Sequence, residues 1–132
     1  LTKDGKDSCY DGLVQVNATD ALVKLMRVKA RYNMQLFVVL REAGSSWVNG
    51  KSSREQPYWD EHAEFMNRII ETGKILLGGP FSDGSGSMVI VKTETEQEAR
   101  TIFEGDPWLL HNIHQREEVR PWQIFINEFQ NL

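Results

Sequence analysis

The sequence predicts an α+β domain of order β-α-β-β-α-β, a four-stranded antiparallel sheet with both helices on one face. Three observations carry this. The runs Leu36–Leu40 and Ser87–Lys92 are short, apolar and rich in β-branched residues, which is strand composition. Between them Trp59, His62, Phe65, Met66, Ile69 and Ile70 recur at helical spacing and define one face of a helix. Thr95-Glu96-Gln97-Glu98 sets a hydroxyl at a cap and a carboxylate three residues on, the start signal of a second helix.

In chain order, Leu36-Phe37-Val38-Val39-Leu40 reads as a strand buried on both faces. Arg41 to Ser53 is rich in Gly, Ser and Asn, the composition of a long loop. Loops of this length in compact domains serve as lids or binding loops. A helix is expected from about Glu55 to Thr72, with Pro57 in its first turn and Gly73 as its C-terminal cap. Ile75-Leu76-Leu77 enters the second strand, which Gly78-Gly79-Pro80 ends. A turn over Ser82–Gly86 then joins it to the third strand as a hairpin. From the second helix Ala99, Ile102 and Phe103 face inward, and Gly105 stops it. Asp106-Pro107 begins a short turn carrying Trp108. In the closing strand Val119, Trp122, Ile124 and Ile126 alternate with Glu118, Gln123, Phe125 and Asn127.

Strands one and four hold more apolar residues than one covered face demands. A second subunit laid sheet to sheet is expected to supply the cover, making a homodimer or higher oligomer; the alternative is cover by residues 1–33. Those residues form an N-terminal extension with a candidate basic amphipathic helix over 19–31, capped by Asp20. The domain spans 34–127, and 128–132 form a tail.

Composition excludes several classes. With 40% hydrophobic and 26% charged residues, the chain does not have the make-up of a wholly disordered one. A net charge of −4 and the lack of a basic stripe with interleaved aromatics speak against nucleic-acid binding. No apolar run approaches the roughly 20 residues that span a bilayer, so no membrane partner is expected. Cys9 is the single cysteine; it offers neither an internal disulfide nor a zinc cluster, and cytoplasmic residence follows.

The chemistry gathers at few positions. His62 lies on the apolar stripe, where partial desolvation would tune an imidazole for proton transfer near neutral pH; a core histidine held by a backbone carbonyl is the alternative. Asp106 is a cap for the turn that Pro107 opens, and a free carboxylate oxygen could also orient His62. Gly78 and Gly79 allow a ligand close to the backbone, or form a bulge. Trp59 and Trp108, close in sequence to His62 and Asp106, are candidate pocket walls. Arg41, at the exit of strand one, either binds a carboxylate or sits on the surface. His111 and His114 have no third ligand at metal spacing; both are expected to face solvent.

His62, Gly73 through Phe81, Asp83-Gly84, Thr95 to Ala99, Asp106-Pro107-Trp108 and Trp122 together resemble the YCII-related domain family over Met34 to about Ile126. The resemblance implies a ferredoxin-like fold of the dimeric α/β-barrel type. It also implies a pocket with His62 and Asp106 as a general acid/base pair, and places Pro80 and Phe81 beside the glycines there. The loop Arg41–Ser53 and the extension before Met34 exceed the family's compact pattern. The expected function is a cofactor-independent isomerase, lyase or dehydrohalogenase acting on a small cyclic or carbonyl-bearing molecule. A non-catalytic, small-ligand-binding dimeric module is the alternative.

Overall fold

The computed structural model describes residues 34–129; the candidate helix over 19–31 lies outside them. Strands β1 (Gln35–Ala43), β2 (Ile75–Pro80), β3 (Gly86–Thr93) and β4 (His114–Trp122) form one antiparallel sheet in the order β2-β3-β1-β4. Helix α1 (Trp59–Glu71) joins β1 to β2, and α2 (Glu96–Thr101) follows β3. A short α3 (Pro107–Leu110) precedes β4. The architecture is the α+β order that the sequence predicts. Among the described residues no helix is long and apolar enough to cross a membrane.

The core lies between the sheet and the helices. Phe37 and Val39 on β1 pair with Val91 and Val89 on β3, and Val39 also pairs with Val119 on β4. Trp59, Ala63, Met66 and Ile70 of α1, Ile75 of β2, Ala99 of α2, and Phe103, Trp108 and Ile113 complete the cluster. Burial along β1 alternates, so the expectation of a strand buried on both faces does not hold for the single chain. The helices cover only one face, and alternate side chains point to the other. There Leu77, Met88 and Trp122 are each about two-fifths exposed.

Four boundaries differ from expectation; in the simplest case α2 ends at Thr101, so Gly105 does not stop it and Phe103 follows the helix. Helix α1 starts at Trp59 rather than Glu55, because Tyr58 takes a left-handed conformation (φ 63°) and splits off a 3₁₀ turn at Ser53–Glu55. Pro57 therefore precedes the helix. The loop is shorter than Arg41–Ser53, since β1 runs on to Ala43. Buried Gln56 staples this loop, accepting from Val48 N and donating to the Val48 and Lys51 carbonyls. The closing strand stops at Trp122, which pairs with Leu36 near the start of β1. Phe125 and Ile126 follow it at 90% and 84% exposure, because their segment has run past its partner strand.

The caps follow the sequence more closely. Gly73 (φ 77°) ends α1 with its N–H on Ile70 O. Thr95 Oγ1 accepts from Glu98 N at 3.1 Å. The Glu98 carboxylate takes Glu94 N–H and the ammonium of Lys74 rather than closing the box. Gly44 has a different role. A Cβ there would sit 2.1 Å from Asn112 O, so only glycine lets the end of β1 close onto the turn before β4.

Phe103 is fully buried beneath the sheet. Phe103→Ala should cost about 3–5 kcal/mol, and Leu110→Ala, at an exposed position, within about 0.5 kcal/mol. Denaturant titration of the two variants checks the contrast.

Candidate active site

Asp106 organises the site. As the N-cap of α3 its Oδ1 accepts from Trp108 N at 2.9 Å. Oδ2 accepts from Arg41 Nη1 at 2.7 Å. His62 Nδ1 lies 2.9 and 3.0 Å from the two oxygens. The carboxylate is fully buried, so capping and orienting His62 are done by one group.

His62 projects from the buried face of α1, as the helical stripe requires. Its ring stacks on Trp108 at 3.9 Å and 4°. Trp108 is fixed in turn by its Nε1–H, which donates to Pro57 O at 2.9 Å. With Nδ1 donating to an anionic carboxylate, the tautomer leaves Nε2 as the basic nitrogen.

Arg41 is not a surface residue. Strand alternation puts it on the same face as Phe37 and Val39, and it is 3% exposed. Its guanidinium carbon lies 4.7 Å from the Phe103 ring centroid, and its Nε faces Glu117 Oε2 at 3.9 Å.

His114 corrects the expectation of a solvent-facing histidine. Counting inward positions back from Val119 by twos reaches 117, 115 and 113, which would turn His114 outward. A bulge intervenes. Glu117 pairs with Arg41 while Gln115 pairs with the next residue, Glu42, and the extra residue Arg116 has φ 50°. Bulges re-aim side chains in this way. His114 is thus buried, edge-on to Trp108 at 4.8 Å and parallel to Trp47 at 6.1 Å.

These groups surround a hollow of about 30 Å³ that is partly open to solvent, with Gly78 and Pro80 exposed at its edge. Arg41, Trp59, His62, Gly78, Gly79, Pro80, Trp108 and His114 line it, with Ser53 at the end of the stapled loop and Ser87 of β3. Asp106 stands behind His62 and Arg41. Phe81 is outside the lining and 41% exposed; its N–H instead donates to Gly86 O and closes the hairpin. At Gly78 a Cβ would press on the Val89 methyls at 3.2–3.3 Å, so a side chain there would crowd the wall. His111 lies outside, exposed and stacked on Tyr58 at 3.8 Å.

Burial alone would raise the Asp106 pKa, but the His62 hydrogen bond and the Arg41 charge outweigh it and hold the carboxyl below its usual range. Burial lowers the His62 pKa, with the Arg41 charge adding to the effect and Asp106 opposing it. Burial, then the charges of Arg41 and His62, push His114 down to about 3. Burial raises Glu117 against the pull of Arg41. Near neutral pH the site therefore holds an ionised aspartate, a guanidinium and two uncharged imidazoles. Among the described residues no group of three or more His, Cys, Asp or Glu is arranged to hold a metal ion.

Fold and site together define a ferredoxin-like α+β domain with a buried imidazole–carboxylate pair beside a hollow. The chain belongs to the YCII-related domain family, whose profile matches residues 34–123. It is 27% identical over 63 residues to the protein YjpA of Bacillus subtilis (strain 168), covering 48% of this chain and 73% of that one. Among solved structures it is similar to the 5-chloro-2-hydroxyhydroquinone dehydrochlorinase TftG of Burkholderia phenoliruptrix AC1100, in complex with 2,5-dihydroxybenzoquinone. The TM-score is 0.51 at 23% identity, over 67% of this chain and 93% of that chain; at this distance the likeness is one of fold.

The low histidine pKa values set a pH dependence. An unfolded histidine titrates near ~6.5, so between that pH and about 3 the unfolded chain holds a proton that folded His114 refuses. Stability must then fall as pH drops through this window, with His62 acting in the same direction. Asp106 adds a further loss only in stronger acid, as pH falls below its unfolded value and through its depressed folded one. Urea denaturation between about pH 7 and about pH 4.5 should show the decline, and His114→Phe should flatten it by roughly 1 kcal/mol per pH unit.

Proposed function

We propose that the domain is a cofactor-independent enzyme in which His62 moves a proton on a small cyclic or carbonyl-bearing molecule. One observation carries this reading: His62 Nδ1 is engaged by the buried carboxylate of Asp106, which leaves Nε2 as the basic nitrogen of a ring that lines the hollow. Nε2 takes a proton from a C–H beside a carbonyl, or from a hydroxyl, and the bonding electrons move onto the substrate oxygen. The imidazolium so formed is balanced by Asp106. Return of that proton to another carbon completes an isomerisation. Expulsion of an anion from the neighbouring carbon completes an elimination, with proton and anion leaving as HX. TftG, a dehydrochlorinase with a dihydroxybenzoquinone bound, belongs to this reaction class and supports the reading by analogy of fold. We place the protein in the cytoplasm on the strength of its single cysteine.

The partner on the open sheet face is a second copy. Leu77, Met88 and Trp122 are exposed there, and a sheet laid against a sheet covers such a face. Met88→Glu should lower the oligomeric state in analytical ultracentrifugation while leaving the far-ultraviolet circular dichroism unchanged; an unchanged sedimentation coefficient counts against the dimer.

A panel of 2,5-dihydroxybenzoquinone, cyclic ketones, lactones and hydroxyaromatics tests the catalytic role. On any compound turned over, His62→Ala should lose about 10²–10⁴-fold in kcat. Asp106→Asn, which keeps a capping oxygen but not the charge, should also lower kcat. Full turnover by His62→Ala sinks the reading, and a compound that raises the melting temperature without forming product favours a binding module.

A further inference from the structure

Of the four buried polar atoms on lining residues that have no hydrogen-bond partner among the described residues, three have no opposite charge facing them either: Trp59 Nε1, Ser87 Oγ and His114 Nδ1. They come from α1, β3 and β4. Arg41 Nε also lacks a bond, but it faces the Glu117 carboxylate at 3.9 Å. Folded proteins seldom leave buried polar atoms unpaired, and those that remain mark places where a ligand or water completes the set.

His114 is the most telling of the three. Its ring is wedged between Trp47 and Trp108. A phenylalanine would fill the same slot without an unpaired nitrogen, so packing does not explain the imidazole. The bulge at Arg116 aims it inward at the cost of a left-handed residue. Its centroid is 6.2 Å from that of His62, with the planes at 87°, close enough for one small molecule to touch both rings.

We infer that His114 is a binding residue of the site: its Nδ1 makes a hydrogen bond to a hydroxyl or carbonyl oxygen of the molecule on which His62 acts, and so selects molecules with oxygen at that position. The inference rests on the hollow being the substrate site. Trp59 Nε1–H can only donate, so the same molecule presents a second oxygen as acceptor there. Phosphorylated molecules fit poorly, because the cation at the hollow, Arg41, is already matched by Asp106. The imidazole of His114 is uncharged across the physiological range, so recognition runs through hydrogen-bond geometry rather than charge.

Protein carrying isotope-labelled histidine is titrated with 2,5-dihydroxybenzoquinone, catechol and cyclohexane-1,2-dione while the ring-nitrogen resonances are followed. At least one probe should move both His62 and His114. His114→Phe should weaken that probe about tenfold, whereas His114→Asn, whose amide reaches near the Nδ1 position, should retain most of the affinity. A probe that moves His62 but not His114, or that binds His114→Phe as tightly as the parent, overturns the inference and leaves the role of His62 standing. Movement of both imidazoles without product upholds His114 as a binding residue of the hollow and removes the catalytic reading alone. If no probe moves either imidazole, both fall.

Discussion

The buried carboxylate of Asp106 constrains this fold. An isolated carboxylate in a dry interior is too costly to keep ionised, so the chain must bring donors to Asp106. It brings three: Arg41 from the central strand, His62 from the first long helix and the amide of Trp108 from the turn that Asp106 itself caps. These lie 65, 44 and 2 residues away. Closing them on one carboxylate fixes sheet, helix and turn against one another. A buried ion pair of this kind adds little net stability compared with apolar packing, but losing one partner strands a charge. Its effect is therefore on which arrangement the chain adopts more than on how stable that arrangement is.

Around this charge the aromatic residues set geometry. Trp108 is stacked face-on by His62 and met edge-on by His114, and its indole N–H is tied to Pro57. One indole thus holds both imidazoles in fixed planes. Pre-set geometry of this sort suits the proton transfer proposed for His62, which needs its nitrogen aimed before a substrate binds. The stapled loop reinforces it from outside, because Gln56 and Trp47 hold the loop down on the same aromatic cluster.

Much of this was legible in the chain, and the limits have physical causes. Strand and helix periodicities are local, so the strand cores, the face of α1 that carries His62, and the caps at Gly73, Thr95 and Asp106 could be read from spacing alone. The start of α1 could not, because nothing in the sequence marks Tyr58 as left-handed. The end of β4 depends on where its partner strand begins, which is a property of pairing rather than of composition. Phe81 stands two residues after Gly79, but it lies outside the lining of the hollow and is exposed, its N–H closing the hairpin.

By itself the sequence determined the element order, the stripe that buries His62 and the chemistry of Asp106 as a cap, since each depends on residues a few positions apart. Only the tertiary structure decided that Arg41 is buried against Asp106 and that His114 faces the hollow. The first depends on a side chain meeting another across 65 residues. The second turns on one extra residue in a ladder: Glu117 still faces Arg41, but because side chains alternate along a strand, the bulge at Arg116 brings His114 round to the buried face.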